Sequence, residues 1–205
     1  MASGWYPENP TLGQLMQTDV AGMTAGNGHV AHVSWSAAQA AAADTDGVLI
    51  AHVDTGSQAI IEHGFTNPPC ARNLTATAGG TAADVRAIQV IIDGTDISGE
   101  AITETLPAFT VNTAGTVVGS MAFSTVTRIT IPAHDNTGAT TEIGFGDKLG
   151  LPYLLPINTC LLSSLNGAKE STGATVTRSA TALMLNTIDL NSALNGTAVD
   201  AFFII

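Results

Sequence analysis

Any chemistry in this chain would have to come from a few histidines and carboxylates. His29 and His32 stand three apart in GHVAHV, and His52 precedes Asp54 in HVD. Imidazole and carboxylate are competent zinc ligands, so His29, His32, His52 and Asp54 form the set closest to a metal site. Their spacing matches no metal motif, and in an extended strand residues 29 and 32 face opposite sides. Asp93, Asp96 and Glu100 surround the turn in IIDGTDISGE. The D-x-[DN]-x-[DN]-G calcium loop with its later Glu is absent, so a solvated turn is expected there. His134-Asp135 lies among many Ser and Thr, but nothing places a nucleophile beside a base. Gly79-Gly80 lacks the Lys and following helix of a phosphate loop. No strand-end carboxylate pair stands out for glycoside hydrolysis. The expectation is therefore a protein that is not an enzyme, with no catalytic, cofactor-binding or metal-binding residue.

Composition narrows the remaining classes. The chain has 205 residues, enough to bury most of its unfolded surface without disulfides or metals. Hydrophobic residues make up 45% and charged residues only 11%, against about 25% in ordinary soluble domains. Its polar surface must be made of Thr, Ser, Asn and Gly, which suits β-structure and buried interfaces. The net charge is −11, from 17 acidic and 6 basic residues. That balance excludes a basic face for nucleic acid and docking on an anionic membrane. Cys70 and Cys160 are too few and too far apart for a disulfide scaffold or zinc site, so buried, reduced thiols are expected. MASGWYPENPTL has neither the basic nor the apolar region of a signal peptide, and no apolar run reaches spanning length. The protein is expected to be made and folded in the cytosol.

The elements that would position these residues are mostly strands. Residues 1–30 hold Pro7, Pro10 and five glycines, yet also Trp5, Tyr6, Leu12, Leu15 and Met16. An N-terminal arm with aromatic anchors, ordered by a neighbouring molecule, fits both facts. SWSAAQAAAAD, 34–44, predicts one short Ala-rich helix of about three turns, capped by Ser34 or Ser36. The double proline after Asn67 marks the entry to the main domain. From there the sequence predicts a long strand from Val85 to the turn Asp93-Gly94, then strands over 99–106, 126–131, 143–145 and 148–155, with a loop at 134–141. In the 126–131 strand, Val126 falls on the face opposite Ile129 and Ile131. Segment 156–168 reads as a strand or projecting hairpin, and Ala174 to Thr187 as a long strand. The apolar ending, with Phe202 and Phe203, must be an integral strand or an edge completed by another subunit. The fold class is mainly β: an antiparallel β-sandwich or jelly-roll-like domain over 47–205, with core 67–155 and return strands 174–205, preceded by the arm and helix over 1–46.

The segments NPPCARNLTATAGGTAADVRAIQV (67–90), GEAITETLPAF (99–109), FSTVTRITIPAHDNTGATTEIGFGDKLGLPYLL (123–155) and NTIDLNSALNGTAVDAFFII (186–205) carry a resemblance. Over about half of its length the chain resembles structural proteins encoded among the head genes of tailed phages and prophages. That resemblance implies a virion protein on the capsid surface, assembled in the host cytoplasm. It implies a decoration (cement) protein that binds the major capsid protein and stabilises the head. A homotrimer is the expected form, with Trp5, Tyr6, Leu12, Leu15, Met16, Phe202 and Phe203 as candidate subunit or capsid contacts. The alternative is a head or tail fibre module recognising a host-surface glycan through 134–141 or 156–168.

Overall fold

The computed structural model describes residues 29–205 and, from the preceding stretch, the backbone pairing of two short strands. These are β1 (Leu15–Met16) and β2 (Gly26–Asn27), which run antiparallel. The others are β3 (Val30–Trp35), β4 (Asp44–Val53), β5 (Ala59–Ile61), β6 (Arg72–Gly80), β7 (Ile91–Thr95), β8 (Ala101–Thr105), β9 (Gly115–Phe123) and β10 (Thr125–Ile131). They continue with β11 (Ala139–Gly150), β12 (Cys160–Leu165), β13 (Ala168–Lys169), β14 (Thr175–Thr177), β15 (Thr187–Asp189) and β16 (Val199–Ile204). The fold is mainly β, and every strand pairing among the described residues is antiparallel.

Two sheets form a sandwich-like unit. One has the order β5-β10-β7-β8; the other runs β14-β15-β11-β6-β9, with β4 also pairing with β11. The first core lies between them and includes Leu74, Ile92, Ile129, Phe123 and Ile143. Alternation puts it there. In β8, Ile102 and Glu104 point in while Ala101, Thr103 and Thr105 point out. In β10 the expected face assignment is corrected. A bulge between Val126 and Arg128 shifts the parity, so Val126 is buried together with Ile129 and Ile131.

A third sheet, β13-β12-β16-β3, closes a second core of Trp35, Leu149, Leu151, Ile188, Val199 and Phe203. Strand β11 serves both cores, giving Ile143 and Phe145 to the first and Leu149 to the second. Its glycines permit close crossings. A Cβ on Gly144 would stand 1.8 Å from the Asp44 carbonyl oxygen, and one on Gly146 would stand 2.6 Å from the Asn73 amide.

The Ala-rich helix does not form. Residues 30–35 are a strand paired along its length with 199–204, so this part of the expected arm belongs to the third sheet. One turn follows: Ala40 N–H donates to Ser36 O at 2.9 Å, and Ser36 and Gln39 cap each other. Helix then stops because Ala40 is fully buried, the Ala41 carbonyl accepts from Arg72, and β4 starts at Asp44. Alanine propensity is a weak force against such tertiary pairing, and a nucleus of one turn is costly. The expected strand from Val85 to Asp93 is also corrected. Residues 85–90 belong to no strand, and β7 starts only at Ile91. Likewise Ala174 to Thr187 breaks into β14, a 3₁₀ turn over Leu183–Leu185 and β15.

Candidate functional site: free apolar edges and the histidine and carboxylate clusters

The candidate contact residues separate in the structure. Trp5, Tyr6 and Leu12 lie outside the described residues, as do the side chains of Leu15 and Met16. Phe203 is fully buried in the second core, which corrects its assignment as a contact residue. Alternation along β16 sends Val199, Ala201 and Phe203 inward. Phe202 is half-buried on the opposite face, where His32 stacks on it at 4.4 Å between ring centroids. The His32 ring nitrogen also meets the Asp200 carboxylate at 2.7 Å.

The histidine and carboxylate clusters resolve into local hydrogen bonding. Among the described residues, no group of three or more His, Cys, Asp or Glu is arranged to hold a metal ion. His29 exchanges backbone hydrogen bonds with Ile205, and Asp54 accepts from the His134 backbone N–H at 2.7 Å. Asp96 organises the turn after β7 by accepting from Ser98 N–H at 2.8 Å and Glu100 N–H at 3.1 Å. Gly94, expected in a turn, sits inside β7, where a Cβ would approach the Thr125 carbonyl oxygen to 2.0 Å. Asp93 accepts from the Thr103 hydroxyl and from Arg128 Nε, and both hold its carboxyl below the usual range. Both cysteines are free and half-buried, and burial pushes the Cys70 thiol up to about 11. A thiol so rarely ionised is a poor nucleophile.

His134 is the one buried histidine among the described residues, and its tautomer follows from its partners. Arg86 N–H donates to Nδ1 at 3.1 Å, so Nδ1 carries no proton. Nε2–H then donates to Thr141 Oγ1 at 3.0 Å. Burial lowers the His134 pKa below its ordinary 6.5, while Asp54 and Asp135 act more weakly in the opposite direction. The unfolded chain therefore takes up a proton at higher pH than the folded one. The stability from neutral His134 is complete above 6.5 and is lost as pH falls through the lower folded value. Urea midpoints measured from about pH 8 to about pH 5 should fall more steeply for the wild type than for His134→Asn, which keeps an acceptor without titrating. Parallel slopes would overturn this role.

The free surface feature is a pair of apolar edges. Among the described residues β4 pairs only with β11 and β5 only with β10, so each has one edge with no strand beside it there, and the 54–58 turn joins them. Ile50 is 72% exposed, Val53 56% and Ile60 58%. Soluble proteins blunt exposed edges with charge, proline or a covering chain. β5 has no charge or proline, and β4 carries charge only at its start, in Asp44 and Asp46. Sequence patterning misses this site because it marks apolar residues without saying which find a partner. No protein-family model, no curated protein and no solved structure matches the chain.

Proposed function

We propose that the chain is a structural subunit of a phage-type capsid: a decoration protein that self-associates, as a homotrimer, and binds the major capsid protein. The apolar free edges of β4 and β5 carry this reading. Ile50, Val53 and Ile60 are exposed on strands that pair on one side only among the described residues, in a chain of low charge. Covering such an edge with another subunit removes apolar surface from water and pairs backbone groups. The major capsid protein as partner rests on the resemblance of 67–90, 99–109, 123–155 and 186–205 to head proteins. Many such contacts, each modest, would tie a shell together through avidity.

Light scattering on the purified chain tests the self-association. The expected mass is about 62 kDa, three times the 20.8 kDa of one chain. Ile50→Lys combined with Ile60→Lys should reduce it to one chain without loss of β-structure by circular dichroism. A wild-type monomer at micromolar concentration would overturn the trimer. Failure to cosediment with shells of a major capsid protein would overturn the decoration role.

A further inference from the structure

A groove of about 620 Å³ continues the β5-β10-β7-β8 sheet beyond one end of its strands. Residues 56–58, 86–89, Ile91, Thr105, Pro132 and Ala133 line it. One cross-strand row leads towards it from the free edge of β5. Ile60 stands opposite Thr130, Thr130 opposite Ile91, and Ile91 opposite Thr105. Their chain neighbours Ile129, Ile92 and Glu104 are buried, so alternation sends this row to the outer face. Ile60 is exposed and Ile91 half-buried, so apolar surface links the β5 edge to the groove. Arg86 is the one charged residue in the lining. Its side chain is 62% exposed and meets Asp135 only at 3.9 Å, too loose and too wet to hold it firmly.

Walls of isoleucine and proline beside an accessible guanidinium suit an aromatic ring with a carboxylate close by. The chain has ten aromatic residues. Eight of them pack in or against the two cores or, for Phe202, against His32. The other two are Trp5 and Tyr6, and Glu8, the first carboxylate of the chain, follows at once. Charge favours this pairing. Copies of a chain of net charge −11 repel, and a contact that sets Glu8 on Arg86 offsets part of that repulsion. Length permits it. β1 and β2 pair with each other, so the reach lies in residues 1–14, which span at most roughly 45 Å. That segment enters the fold at β3, in the third sheet, none of whose strands pairs with the sheet that carries the groove. Donor and receptor thus lie on different sheets, an arrangement that neighbouring copies can satisfy head to tail.

We propose that this groove receives Trp5 and Tyr6 of a second copy of the chain, their rings against Ile88, Ile91 and Pro132 and Glu8 of that copy on Arg86. The inference rests on the self-association proposed above and names where that contact is made. It joins two different surfaces, one on each copy. A heterologous contact of this kind closes only as a ring, and three copies form the smallest ring beyond a pair.

The test co-expresses two full-length variants, Pro7→Cys and Ala87→Cys, and treats the purified mixture with a short bismaleimide crosslinker. Ala87 is exposed in the groove lining and Pro7 lies between Tyr6 and Glu8. A product of about 42 kDa, twice the 20.8 kDa of one chain, is expected from the mixture and from neither variant alone. Trp5→Ala in the Pro7→Cys chain should slow its formation at least about tenfold. Glu8→Arg in that chain should slow it about fivefold, and Arg86→Glu in the Ala87→Cys chain should then restore it. Light scattering on the wild type separates the two levels of the argument. A trimer that gives no mixed product would overturn the groove contact and leave self-association standing, whereas a monomer would overturn both. A chain carrying both cysteines that links only to itself would assign the segment to its own groove and overturn the contact between copies. So would a mixed product that forms at the same rate with Trp5→Ala, or a Glu8→Arg loss that Arg86→Glu fails to restore.

Discussion

Arg72→Leu should lower the stability of the folded chain by about 3–5 kcal/mol, the cost of breaking a buried, hydrogen-bonded charge arrangement. Arg72 opens β6 and has no exposed surface. Nε donates to the Gly146 carbonyl at 2.8 Å, Nη1 to the Ala41 carbonyl at 2.6 Å, and Nη2 again to Gly146. The guanidinium carbon lies 4.7 Å from the centroid of the Phe145 ring. One side chain thus ties the 36–43 connection, the middle of β11 and the start of β6 together at the junction of the two cores. Leucine fills much of the volume but strands two buried carbonyls, each of which loses its donor. Burial lowers the Arg72 pKa, with Cys70 and Asp147 acting the other way, yet an arginine remains charged at neutral pH. Arg72→Lys should recover only part of the loss, because one ammonium cannot reproduce the fork that spans both carbonyls. Urea unfolding reads the effect directly, as a lower midpoint with an unchanged slope. Since a domain is stable by only about 5–15 kcal/mol in all, Arg72→Leu should also reduce the yield of folded protein. A midpoint within error of the wild type would show that the junction holds without Arg72.

The importance of Arg72 could not be read from the sequence, and the reason applies to much of the fold. Local patterns fix what a segment can do, while its partners decide what it does. Strand β8 was legible because Ile102 and Glu104 alternate with Ala101, Thr103 and Thr105, and the same residues face the core. The apolar ending was legible because Phe203 and Ile204 must be buried somewhere, and they are. The Ala-rich stretch was misleading. Its helix propensity is real, but β16 offers Val30–Trp35 a full ladder of hydrogen bonds, and a ladder outweighs a few tenths of a kcal/mol per residue. Asp93-Gly94 has the composition of a turn, yet the glycine serves the close approach of Thr125, and the turn falls at Asp96. Segment 85–90 is β-rich by type, but it bonds to 106–112 irregularly, through Leu106, Phe109 and Asn112. The second core was missed entirely, since it joins residues 30–40 to 149–203 across most of the chain. The candidate site shows the same limit. Ile50 and Ile60 are ordinary strand residues until the topology leaves their strands at free edges.

Glu104→Ala should cost about 3 kcal/mol, and the cause lies in the opposite sheet rather than in β8 itself. Glu104 is buried, and Oε1 accepts from Ser120 N–H at 2.6 Å, Ser120 Oγ at 2.9 Å and Met121 N–H at 3.3 Å. These amides need an outside acceptor because β9 bulges. Between the pairs Asn73↔Ala122 and Thr75↔Val118, the residues Gly119, Ser120 and Met121 stand against Leu74 alone. The ladder is interrupted there, and the carboxylate reaches across the sandwich to replace it. Gly119 is required for the approach, since a Cβ would stand 2.7 Å from Glu104 Oε2. Alanine leaves the two amides without an acceptor and opens a void beside Leu106. Glu104→Gln keeps one oxygen acceptor and loses the charge-assisted part, so it should cost about half as much. Hydrogen exchange separates this from general destabilisation. In Glu104→Ala, the amides of Ser120 and Met121 should lose more protection than those of Ile92 or Ile143 in the same core, because their acceptor alone is gone. Uniform loss across the core would mean that Glu104 acts through packing, and that the bulge is held by β6 and not by the carboxylate.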